Sequence, residues 1–95
     1  MEGRSPIGKQ VKLAVADSAV SLTLPTSGIL PRAAEVTIGA ASVRWLATGD
    51  TPKADEGMLA AANTTITLNT YRECANFKAI RTGSTSAQAD ITYYV

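Results

Sequence analysis

Few side chains in this sequence are of the kinds that do chemistry. Cys74 is the one cysteine, and histidine is absent. A thiol attacks well only when a base or a cationic neighbour makes it a thiolate, and no imidazole is present to act as that base. Ser-His-Asp catalysis fails for the same reason. Cys74 is therefore expected to be a half-buried structural thiol. The acids Asp50, Asp55 and Glu56 lie close together, and carboxylate oxygens suit calcium. Their spacing matches no calcium loop and Lys53 sits among them, so a solvated turn is expected. Zinc has almost no ligands to draw on. The sequence points to no catalytic residue, no metal and no cofactor, and hence to a protein that is not an enzyme.

The other candidates concern binding. Arg4, Lys9 and Lys12, with glycine and proline between them, could grip phosphate or an acidic protein surface; a frayed, solvated terminus is the alternative. Asn63-Thr64-Thr65 matches a glycosylation acceptor, but no secretory signal is visible, and Asn63 reads better as a turn residue. The run Gly83-Ser84-Thr85-Ser86 lacks the glycine spacing and following helix of a phosphate loop. Tyr93 and Tyr94 fall on opposite faces of a strand. One ring is expected in the core; the other either packs on its own sheet or stacks on a sugar or a partner.

The elements that must position these residues read as strands. Residues 35–49 alternate on both sides of a short break at Gly39, which is the pattern of a β-hairpin. This stretch holds Trp45, the only tryptophan, and the other strands are expected to pack around it. Residues 1–10 lack periodicity and read as an extended arm, with the sandwich domain over 11–95. Strands are expected over 11–15, 20–24, 64–69, 77–82 and 88–95, with loops over 26–32 and 49–62. Residues 58–62 could form one helical turn across an open end of the fold; residues 71–76 read as a connection. Seven short strands at roughly 8–12-residue spacing predict an all-β, small antiparallel β-sandwich, jelly-roll-like. Val36, Ile38, Val43, Trp45, Ile66, Leu68, Ile91 and Tyr93 are the expected core. The last strand should tie the end of the chain into a sheet.

The totals agree with a binding role. Ninety-five residues make one domain. A chain this short buries only about 60–65% of its unfolded surface. Without an internal disulfide or metal, the core is expected to lean on neighbours in an oligomer or a lattice. A formal charge of +1 gives nucleic-acid binding no help. No run of about 18 apolar residues is present to span a membrane as a helix. The polar start of the chain suggests synthesis in a cytoplasm.

In layout, residues 33–95 resemble small β-sandwich virion proteins of tailed bacteriophages. The likeness runs from Ala34-Glu35-Val36-Thr37-Ile38-Gly39 through Val43-Arg44-Trp45-Leu46 and Thr48-Gly49-Asp50. It continues through Leu59 and Thr65-Ile66-Thr67-Leu68. It closes with the strands from Phe77 to Gly83 and from Asp90 to Val95. The resemblance implies a structural protein of the capsid decoration or cement type. Such a protein would sit on the capsid surface of a virion, be made in the host cytoplasm, and bind the major capsid protein or other virion proteins. A head–tail or tail accessory protein is the alternative within the virion. A carbohydrate-binding module or adhesin is the alternative from another class. A homo-oligomer is expected; no nucleic acid or membrane partner is. The family has no catalytic motif to carry over. Arg4, Lys9 and Lys12 lie outside the matched region, so their partner-binding role rests on charge alone.

Overall fold

The computed structural model describes residues 4–25 and 30–95, apart from the Val11 side chain. Residues 1–3 of the expected arm and 26–29 of the expected loop lie outside the described residues. Eight strands and one short helix appear among the described residues: β1 (Pro6–Val15), β2 (Val20–Ser21), β3 (Ala33–Ile38), β4 (Val43–Leu46), β5 (Met58–Ala60), β6 (Thr65–Leu68), α1 (Tyr71–Asn76), β7 (Lys78–Arg81) and β8 (Ala87–Tyr94). They form two four-stranded antiparallel sheets, ordered β1-β8-β3-β6 and β2-β7-β4-β5. This is the order of an eight-stranded jelly roll. The expected all-β sandwich is the observed fold, with one strand more than expected.

The core lies between the sheets, where alternation places it. Val36, Ile38, Val43, Ile66, Leu68, Ile91 and Tyr93 are all buried. Along β8 the buried residues are Ala87, Ala89, Ile91 and Tyr93, while Gln88 and Asp90 face water. Trp45 departs from expectation. It is only partly buried, stacked on Phe77 with ring centroids 5.7 Å apart. Tyr93 and Phe77 are the largest enclosed side chains, so the strands pack around them and Trp45 stands at the margin.

Residues 35–49 do not form a hairpin. β3 pairs with β8 and β6, whereas β4 pairs with β7 and β5 in the facing sheet. Each strand carries one apolar face. Two such faces can be buried side by side in one sheet or face to face across the core, and alternation is the same in both cases. The Gly39–Ser42 connection makes the crossing. The Gly39 N–H donates to the Gln88 carbonyl at 2.8 Å, and a Cβ on Gly39 would lie 3.1 Å from that oxygen. Glycine lets the chain turn off the sheet against the β8 backbone.

The arm expected over residues 1–10 is also corrected over residues 6–10. Pro6 to Gln10 belong to β1, with Gly8 opposite Tyr93, Lys9 opposite Thr92 and Gln10 opposite Ile91. Glycine, proline and charge argued against a strand, but an edge strand tolerates all three. The pairing shifts register between Pro6 and Gly8 and again between Gln10 and Leu13.

Three local expectations change too. Residues 58–60 form β5 rather than a helical turn. Residues 71–76 form α1, where the Thr70 Oγ1 accepts from the Glu73 N–H at 3.1 Å and Glu73 reaches back to the Asn69 N–H. The spacing is that of a capping box, but Glu73 takes the N–H of the residue before the N-cap rather than that of Thr70 itself. The strand expected over 20–24 shrinks to two residues, because side chains rather than a neighbouring strand take up the backbone of Thr23. Its N–H donates to Gln10 Oε1 at 2.9 Å, and its carbonyl accepts from the Tyr93 hydroxyl at 2.8 Å.

Candidate functional site

The sequence candidates fall at separate places. Cys74 is buried on α1. Burial, and secondarily the Glu73 carboxylate beside it, push its thiol up from 9.0 to about 11. A thiol so disposed stays protonated and is a poor nucleophile. Asp50 accepts from the Thr48 hydroxyl at 2.8 Å, while Lys53 and Glu56 pair through both backbone and side chains. Among the described residues, no three potential ligands converge on a metal position. Asn63 is a turn residue: its φ is 64°, and its N–H is shared between the carbonyls of Ile38 and Gly39.

The two neighbouring tyrosines split as expected. Tyr93 is buried in the core. Tyr94 lies on the outer face, where its hydroxyl donates to Glu35 Oε1 at 2.7 Å. That bond favours the protonated phenol and raises its pKa. Tyr94 is therefore held against its own sheet rather than offered as a stacking platform.

Arg4, Lys9 and Lys12 are strung along the β1 edge rather than on a free arm. Arg4 precedes β1, and Lys9 is exposed on it. Lys12 stands at the second register shift with φ 56°, its backbone N–H turned onto Asp90 Oδ1 at 2.8 Å. The bulge throws the Lys12 side chain outward. This side of the sandwich is closed by the Gln10–Thr23–Tyr93 hydrogen bonds, over a groove of about 230 Å³ between β1 and Leu24.

The opposite side is open, and the sequence reading missed it. There β5 is the last strand of one sheet and β6 the last strand of the other. Between them runs a groove of about 490 Å³ lined by Trp45, Met58, Ala60 and Ile66. Met58 and Leu59 are 57% and 58% exposed. Ala60 opposes Val43 and is buried, so Met58, opposite Trp45, shares that inner face at the mouth of the sandwich. Neither strand contains a charge or a proline. The available signal was Thr65-Ile66-Thr67-Leu68, a strand with no charged guard. Nothing local says that such a strand lies at an edge.

No family model matches the chain, and no curated protein or solved structure matches it.

Proposed function

We propose that the chain is a non-enzymatic structural protein of a tailed-phage virion, a capsid decoration or cement protein that binds the major capsid protein. The observation that carries the proposal is an eight-stranded jelly roll with one basic edge and one open, uncharged edge. Jelly rolls serve in viral capsid and lectin domains, and the strand layout of residues 33–95 favours the virion. In this account Arg4, Lys9 and Lys12 on the β1 edge meet acidic groups of the shell. Charge complementarity of this kind sets orientation and association rate, and it weakens with salt.

A sugar-binding role would call for several exposed rings in one patch. Trp45 is stacked on Phe77, Tyr93 is buried and Tyr94 is tied to Glu35. Tyr71 is then the one ring among the described residues that reaches far into solvent, at 42% exposed. The deciding experiment is co-sedimentation with undecorated shells assembled from the major capsid protein encoded nearest to this reading frame. Saturable binding that raises the shells' melting temperature is expected. Absence of binding, with signal on a glycan array instead, would overturn the proposal in favour of the sugar module.

A further inference from the structure

The open side of the sandwich presents two unguarded strand edges at once. β6 leaves specific backbone groups unused. The Ile38 N–H donates to the Thr64 carbonyl at 2.8 Å, and hydrogen-bonded pairs alternate along an antiparallel ladder. The next bonded pairs are therefore Val36 with Ile66 and Ala34 with Leu68. The N–H and C=O groups of Thr65 and Thr67 point away from β3, toward the side where the sheet ends.

We propose that a second copy of this chain docks on this side about a twofold axis perpendicular to the sheets. β6 then lies antiparallel to its own copy, and β5 to its own copy. Each four-stranded sheet continues into one of eight.

The backbone geometry suits that symmetry. An axis through Ile66 sets Thr65 opposite the partner's Thr67, and the reverse. These are the residues whose free groups face outward, so four N–H···O bonds form in two reciprocal pairs. Ile66 then meets the partner's Ile66 as a closely spaced non-bonded pair. This is consistent with its own N–H and C=O being spent on β3. On the inner face, Met58 of each copy, exposed in the single chain, enters the mouth beside Ile66, which is already buried. No charge on β5 or β6 opposes the approach.

Two features select a second copy over a single extended peptide. A peptide can complete only one edge, whereas the two edges here stand about one sheet spacing apart, roughly 10 Å. A partner that completes both needs two edges at that same spacing, and another copy has them. The contrast with the far side points the same way. β1 has two register shifts, Pro6 and the exposed lysines 9 and 12, while β2 is two residues long. Those are the devices by which native sheets block edge pairing. They guard one side of this molecule; on the other, β5 is also short, at three residues, but neither β5 nor β6 carries a register shift, a proline or a charge.

The dimer does not depend on a virion role, and its test uses no shells. Sedimentation velocity on the full chain, from about 1 µM to about 1 mM, should show the mass rising from 9.9 kDa toward twice that. Thr67→Pro removes an edge N–H that the fold leaves unused, a place where proline is tolerated. Met58→Lys puts a charge into the shared mouth at a side chain already exposed in the single chain. Each should weaken the dimer at least tenfold with its far-UV circular dichroism unchanged. If Thr67→Pro fails to fold, Met58→Lys decides. A single-chain mass throughout, an assembly other than a dimer, or a dimer that survives Met58→Lys overturns the proposal. So does a dimer that survives a folded Thr67→Pro.

Discussion

At the scale of single residues, polar side chains do the closing work that backbone does elsewhere. Gln10 and Tyr93 together satisfy both backbone groups of Thr23. They hold the segment after β2 against β1 where no ladder exists. Tyr93→Phe keeps the buried ring and loses the hydroxyl bond, so thermal unfolding should show about 1 kcal/mol less stability. A loss no greater than a surface substitution gives would mean that water replaces the phenol without cost. The same region sets the alkaline limit of the fold. Burial raises the Tyr93 phenol from 10.0 to about 12, with a smaller contribution from Cys74, and the Cys74 thiol rises from 9.0 to about 11. Both groups are neutral when protonated, and the folded state holds those protons more tightly than the unfolded chain does. Their contribution to stability is therefore complete below about pH 9 and is lost as pH climbs through 11 to 12. Melting temperature followed from pH 7 upward should fall across that window. In the native protein Cys74 should resist a thiol-specific reagent at pH 8 and react on unfolding. Rapid labelling of folded protein would contradict its burial.

At the scale of elements, what the sequence revealed depended on where the determining contacts lie. β6 and β8 were legible because half-burial imposes a period of two that survives in any neighbourhood. Seven of the eight expected core residues are buried for the same reason. Sheet membership was not legible, since β3 and β4 alternate identically whether they share a sheet or face each other. The register of β1 was hidden by edge-tolerated residues, and β5 by its length of three. α1 could have been found. Thr70 and Glu73 have capping-box spacing, but the six-residue helix after them is too short to show a period. Thr70→Ala should cost about 1 kcal/mol, a loss visible in chemical denaturation. Charge alone singled out Arg4, Lys9 and Lys12 in the sequence, but their placement along the β1 edge was not legible there. A chain beginning at Val11 would keep its core but lose half of β1, including Gln10 and its bonds to Thr23. It should melt several degrees lower than the full chain. An unchanged melting temperature would restore the view of residues 1–10 as an appendage.

At the scale of the whole molecule, the two long sides of the sandwich differ in kind. One is bulged, basic and laced shut by Gln10 and Tyr93. The other is uncharged and open, with Met58 and Leu59 in solvent. If the open side receives a second copy, the β1 edges face outward at opposite ends of the assembly, free to meet a larger surface. Attachment through Arg4, Lys9 and Lys12 then becomes bivalent, so a weak contact at each end yields a much stronger whole. The paired substitution Lys9→Glu with Lys12→Glu tests this separately from dimerisation. Both side chains are exposed, and neither lies near β5 or β6. Binding to undecorated shells should weaken at least tenfold at low salt, about 1.4 kcal/mol. Its remaining salt dependence should flatten, because the screened charges have been removed. Sedimentation of the free protein should not change. If the double variant decorates shells as well as the original chain at every salt concentration, the attachment surface lies away from the β1 edge. If sedimentation changes as well, the β1 edge belongs to the contact between copies and the assignment of the two sides must be exchanged.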